Sequence, residues 1–316
     1  MATFTRLTTL TATLIMVVMI AQQGQASPLT YRDRTSLTHF EANDPDSTQA
    51  ISHRGWDRVL GIMFVEDERS GEALLDYGRL SPTARGVLRR YLTYLQSIKI
   101  STYARDEQLA YWLNFYNAAS FSQVYANMDK GSKRMASPGR NPHRKTGVKV
   151  KPLMLKSEGP WQSPLYKVEG IRLSLTDIEH RIVQAHWDNP AVIYGFSCPA
   201  KGCPALMPKA FKADSVRAQL AASAQRFISD KRNVMVKRKR LKPSALYTWH
   251  HNLFPDKASV LSHLRQIGND RLRRQLAGVS TVKGEQFSWK LNGKEPPEDF
   301  TQPTGIFSRG SGAINY

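Results

Sequence analysis

Between residues 105 and 127, in RDEQLAYWLNFYNAASFSQVYAN, apolar side chains return every three or four positions, so that Leu109, Trp112, Leu113, Tyr116 and Val124 share one stripe. That period predicts a long, well-buried helix. QAISHRGWDRVLGIMFV, PSALYTWHHNLF and ASVLSHLRQI carry the same period. In SPTARGVLRRYLTYLQSI, Ser81 stands where an N-cap belongs and Pro82 at the first helical position, which predicts a helix start. DSVRAQLAASAQRFISD predicts another, with Asp214 as N-cap and Val216, Leu220, Ala224 and Phe227 on one face. ALLDYGRL, PLYKVEGIRL and the basic VMVKRKRL read as strands, and SLTDIEHRIVQAHW begins like a helix. AVIYGF, a continuous apolar run too short for a helix, predicts a buried strand ending at Cys198. Helices dominate and short strands are scattered among them, so the expected fold is α+β, a single domain, mostly helical.

The ends refine this picture. Arg6 precedes the apolar run LIMVVMIA, and Gly24 and Ala26 sit where signal peptidase needs small residues, so residues 1–26 read as a signal peptide cleaved after Ala26. The run is well short of the roughly 20 residues of a spanning helix, and no later stretch is long and apolar enough to be one. The expected location is periplasmic or secreted. Residues 27–47 are polar and turn-rich and read as a loose N-terminal segment, residues 48–298 as the domain, and residues 299–316 as a flexible tail.

With 41% hydrophobic and 22% charged residues the chain is globular in composition, but its formal charge is +19. The cations concentrate in residues 130–156 and in KRNVMVKRKRLK, residues 231–242. Such runs ordinarily point to nucleic acid. Export and the lack of interleaved aromatic residues argue against that partner. Anionic envelope polymer or lipid headgroups are the expected contacts, through Lys237, Arg238, Lys239 and Arg240, beside the plainer reading of solvated loops that keep the protein soluble.

The segments GPWQSPLYKVEGIRLSLTDIEHRIVQ, YGFSCPAKGCPAL, LAYWLNFYNA, YTWHHNLF and FSWKLNG resemble the bacterial exported branch of the domain of unknown function 547 family. The resemblance spans residues 50 to 296 approximately. It implies one domain of that type and transfers no reaction. Where the family carries an arginine and a histidine before the first cysteine, this chain has Ala191 and Ile193, and Leu253 replaces an acidic residue.

The only two cysteines, Cys198 and Cys203, lie in one short turn. In an oxidising compartment a disulfide is the first expectation, with Gly202 adopting a positive φ to reverse the chain. Alternatively Cys198 is a nucleophile, with His180 or His186 as base and Glu179 or Asp177 orienting it. Thr176 and Glu179 have the form of a capping box, which would occupy that carboxylate instead. A zinc site built on the two cysteines with His250 and His251 lacks a compact four-ligand spacing, and adjacent histidines on a helix point about 100° apart, so no metal and no cofactor is expected. Asn114 and Asn117 flank the aromatic stripe and would satisfy backbone groups of a neighbouring loop or support a polar site. The leading expectation is an envelope binding or interaction protein with a Cys198–Cys203 disulfide. The alternative is a thiol-dependent hydrolase or transferase acting on an amide or ester.

Overall fold

A computed structural model describes residues 35–66, 73–133 and 150–294. The expected signal peptide (residues 1–26), most of the first basic run and the expected tail lie outside these residues. The fold is a single α+β domain built around α3 (Arg105–Lys133), which is buried on every side from Glu107 to Phe121. A helix buried all round belongs in the middle of a core, and its few polar side chains there need partners. Trp112 and Phe115 stack within it, and Phe121 stacks on Tyr77. Against it pack α2 (Pro82–Ser97) and α6 (Val216–Ser229), and α2 in turn holds α1 (Arg54–Met63). Ser81 caps α2 by accepting the Ala84 N–H at 3.2 Å. Among the described residues no helix is long and apolar enough to cross a membrane.

Strands are short and edge the helical body. β1 (Phe64–Glu66) runs antiparallel to β2 (Ala73–Asp76), whose other edge pairs in parallel with β8 (Gly293–Lys294). PLYKVEGIRL resolves into a hairpin, β3 (Tyr166–Val168) and β4 (Ile171–Leu173), turning through Glu169 and Gly170 at positive φ. The expected basic strand is also a hairpin. β5 (Val234–Lys237) and β6 (Arg240–Pro243) pair antiparallel, and β7 (Thr281–Val282) lies parallel to β6. Short helices α4 (Val150–Leu155) and α5 (Gln184–His186) precede α6, helix α7 covers only Leu246–Trp249, and α8 (Lys257–Ile267) and α9 (Asp270–Ala277) follow it.

Two expectations are corrected. AVIYGF is not a strand: Pro190–Gly195 forms a 3₁₀ helix capped by Asn189, which accepts the Ala191 N–H at 2.9 Å. Proline at the first position and burial from both sides produce the same apolar run that a core strand would. The N-cap of α6 is Ser215 rather than Asp214, whose carboxylate instead accepts the Ser215 hydroxyl.

Candidate functional site

Three polar residues three apart on α3, Asn114, Asn117 and Ser120, fasten the chain on either side of the cysteine turn. Asn117 donates to the Gly195 carbonyl at 2.9 Å and accepts the Ser197 N–H at 2.8 Å. Ser120 donates to the Ser197 carbonyl, and Asn114 brackets Phe211 through both its N–H and its carbonyl. Each amide thus closes two backbone bonds that burial would otherwise orphan. Gly195 lies so close to α3 and α6 that a Cβ there would stand 2.6 Å from Leu113 Cδ2 and 2.9 Å from Leu220 Cδ2.

Beyond this segment Cys198 and Cys203 are joined in a disulfide, their Cα atoms 5.6 Å apart. The corner is backed by the late FSWKLNG segment. Lys201 and Gly202 donate to the Lys290 and Ser288 carbonyls, Asn292 N–H reaches the Pro199 carbonyl, and the Asn292 amide reaches the Cys198 carbonyl. Gly202 does not adopt a positive φ, contrary to expectation. Its role is close approach: a Cβ there would meet Phe287 Cδ2 at 2.6 Å and the Ser288 backbone nitrogen at 2.8 Å.

The disulfide forms part of the wall of a pocket lined also by Tyr116, Trp161, Glu179, His180, Trp249 and His250. Glu179 and His180 enter it from a π-helical turn, Asp177–Val183, in which the Gln184 N–H reaches back five residues to the Glu179 carbonyl. In an α-helix neighbouring side chains diverge by about 100°. The wider π turn reduces that divergence, and both residues face the same cavity. The capping role expected of Thr176 and Glu179 falls instead to Ser174 and Asp177. Ser174 N–H donates to Asp177 Oδ2 at 2.8 Å and Asp177 N–H donates to Ser174 Oγ at 3.1 Å. The Thr176 hydroxyl donates to the Trp161 carbonyl. The Glu179 carboxylate is thereby free for the pocket.

There it lies 3.3 Å from His250 Nε2 and is hydrogen-bonded to the Tyr116 hydroxyl, which also accepts from Trp161 Nε1. Burial pushes the Glu179 carboxyl up to about 7, against the hydrogen bond from Tyr116, which lowers it. Its side chain remains 13% exposed, so solvent reaches it. Gln184 holds His250 from behind, its amide 2.8 Å from Nδ1, which leaves Nε2 directed at Glu179. Donor atoms of Glu179, His180 and His250 all lie within 4.8 Å of one another.

The structure therefore brings Cys198, His180 and Glu179 to one pocket, but a bonded sulfur is not a thiolate, and Cys198 as a nucleophile has no thiol to act with. The same bond removes both sulfurs from the zinc arrangement that pairs them with His250 and His251, and His251 is exposed. His186 is tied to the N-terminal segment, at 3.0 Å from the Leu37 carbonyl and 3.7 Å from Glu41, and Asp177 pairs with Arg181 at 3.0 Å. Neither takes part in the pocket. Tyr116, read only as a core residue of the α3 stripe, lines it, and Gln184 holds its His250 in place. The signal for Tyr116 was present in the stripe, but its hydroxyl's partners come from other elements.

At the opposite end of the molecular chemistry stands the β5–β6 hairpin. Its register sets Lys237 directly opposite Arg240, with Arg238 and Lys239 forming the two-residue turn at φ 50° and 58°. All four are exposed, and none has an acidic partner at ion-pair distance among the described residues. The Lys239 side chain lies along Gly278, at the end of α9, which adds the exposed Arg271, Arg273 and Arg274.

A single α+β domain with a buried carboxylate–imidazole pocket and a disulfide corner is the class these observations define. The family model described as protein of unknown function, DUF547, matches residues 100–228. The matched stretch contains α3, the π turn and both cysteines, and ends within α6. Comparison with curated proteins and with solved structures returned no match.

Proposed function

We propose that the protein is exported and binds phosphate-bearing anionic surfaces of the cell envelope through the tip of the β5–β6 hairpin. The observation that carries this reading is the unneutralised juxtaposition of Lys237, Arg238, Lys239 and Arg240. Like charges placed directly opposite on paired strands destabilise the pairing. A polyanion offsets that repulsion, and each cation near an anionic lipid surface contributes about 1 kcal/mol. The apolar LIMVVMIA run followed by small residues, the disulfide, and the further cations on α9 support the same reading. The test is co-sedimentation of the mature protein with phosphatidylglycerol vesicles, with phosphatidylcholine vesicles as control, and separately its retention by soluble lipopolysaccharide. Changing all four residues to glutamine should weaken binding by up to about 10³-fold, in proportion to four lost contacts. Loss on vesicles alone identifies the lipid headgroup as partner, and loss on the soluble polymer alone identifies the polymer. Salt-insensitive binding, or binding equal in wild type and variant, overturns the proposal.

A further inference from the structure

We infer that Glu179, His180 and His250 form a mononuclear site for a divalent first-row transition metal, zinc above all, with a further coordination position opening into the pocket. Three donors, two imidazoles and one carboxylate, converge within 4.8 Å. Around a tetrahedral ion with bonds of about 2.0–2.1 Å, neighbouring donors lie about 3.3–3.4 Å apart. The 3.3 Å between Glu179 Oε1 and His250 Nε2 is already one edge of that figure. Two nitrogen donors select transition metals over magnesium and calcium, which prefer all-oxygen shells. The affinity order places zinc above iron and manganese for such a set.

Features outside the three donors point the same way. Gln184 is buried and fixes the His250 ring through Nδ1, the outer-shell contact that metal-bound histidines use. Its Oε1 is buried with no hydrogen-bond partner among the described residues. Turning the amide over presents that oxygen to an Nδ1–H, the tautomer that leaves the Nε2 lone pair for a cation. The Tyr116 hydroxyl steadies the carboxylate. The π turn, a distortion frequent at functional sites, is what turns Glu179 and His180 into the same space. With the sulfurs bonded to each other, the pocket beside the donors is walled by Trp161, Phe196, Trp249 and the disulfide. Three protein ligands and an open position facing a cavity is the arrangement of a zinc site that holds a reactive water.

The experiment is titration of the chelator-treated, oxidised full mature chain with Zn²⁺ by calorimetry, and with Co²⁺ by visible absorption. One equivalent of each should bind, and Co²⁺ should give the intense d–d bands of a low-coordinate site. Glu179→Gln and His250→Gln should each lower Zn²⁺ affinity at least 100-fold, and Gln184→Ala 10–100-fold through the outer shell. The four-glutamine hairpin variant should bind Zn²⁺ as wild type does, so this result is independent of the envelope reading. Circular dichroism of each variant separates lost ligands from lost fold, and Gln at 179 and 250 nearly preserves side-chain volume. Absence of stoichiometric binding, six-coordinate Co²⁺ spectra, or affinity unchanged in folded Glu179→Gln and His250→Gln overturns the inference.

Discussion

The hairpin turn permits a prediction in which stability and binding move in opposite directions. Arg238 and Lys239 both occupy the left-handed region, as a two-residue turn between right-twisted strands demands. For an ordinary L-residue that conformation costs roughly 1–2 kcal/mol. Asparagine tolerates it and glycine adopts it freely, although glycine gives back about 0.5–1 kcal/mol in chain entropy. Removing two of four crowded cations adds a few tenths of a kcal/mol. Arg238→Asn with Lys239→Gly should therefore stabilise the fold by about 1–2 kcal/mol, raising Tm by about 2–4 °C. The same double change removes two surface-directed charges and should weaken binding to phosphatidylglycerol vesicles by about 2 kcal/mol, near 30-fold. Scanning calorimetry and vesicle co-sedimentation on one preparation read both quantities. A variant that is no more stable shows that the turn carries no strain. One that is more stable yet binds vesicles equally well shows that the cations serve solubility alone.

Other outcomes follow from the core and the corner. Closing a six-residue loop should contribute about 2 kcal/mol, so Cys198→Ser with Cys203→Ser should lower the unfolding free energy obtained from urea titration by that amount, and the midpoint with it, relative to the oxidised protein. An unchanged midpoint refutes the structural role of the bridge. Gly195→Ala forces a methyl into Leu113 and Leu220 and should cost about 1–3 kcal/mol, part of it recovered by Leu113→Val, as denaturant titration of both variants would show. Burial lowers His53 and His263 to about 4, the effect at His53 being partly opposed by Asp57. Between pH 6.5 and 4 the unfolded chain takes up protons that the folded chain refuses, so stability is full above 6.5 and falls on acidification, by up to about 3 kcal/mol per histidine. Urea midpoints from pH 7.5 to 4 should fall less steeply in His53→Gln with His263→Gln, and equal slopes would contradict the assignment.

The helical skeleton was legible because its signals are local. α3 is apolar over a long window, and Ser81–Pro82 is a start signal that few other conformations use. Where two local readings overlap, the sequence is ambiguous. Ser174–Asp177 and Thr176–Glu179 both fit a capping box, and only the pull of Trp161 on the Thr176 hydroxyl and of Tyr116 on Glu179 separates them. The π turn has no periodic signature of its own, so the convergence of Glu179 with His180 could not be read from helical geometry. Gln184 meets His250 across 66 positions, a contact that only tertiary packing creates. Gly202 was recognisable as a required glycine, but the reason lies in Phe287 and Ser288, far along the chain.

The strip from Phe287 to Lys294 has a consequence for biogenesis. It braces the sulfur-bridged bend through Lys201, Gly202 and Asn292 and then completes the small sheet begun near residue 64. Because partners so distant in sequence must meet last, strands β1 and β2 stay without their third neighbour until the polypeptide has emerged beyond Lys294. Premature release, or proteolytic trimming ahead of Phe287, would yield a molecule whose core helices are in place but whose bend has lost its backing.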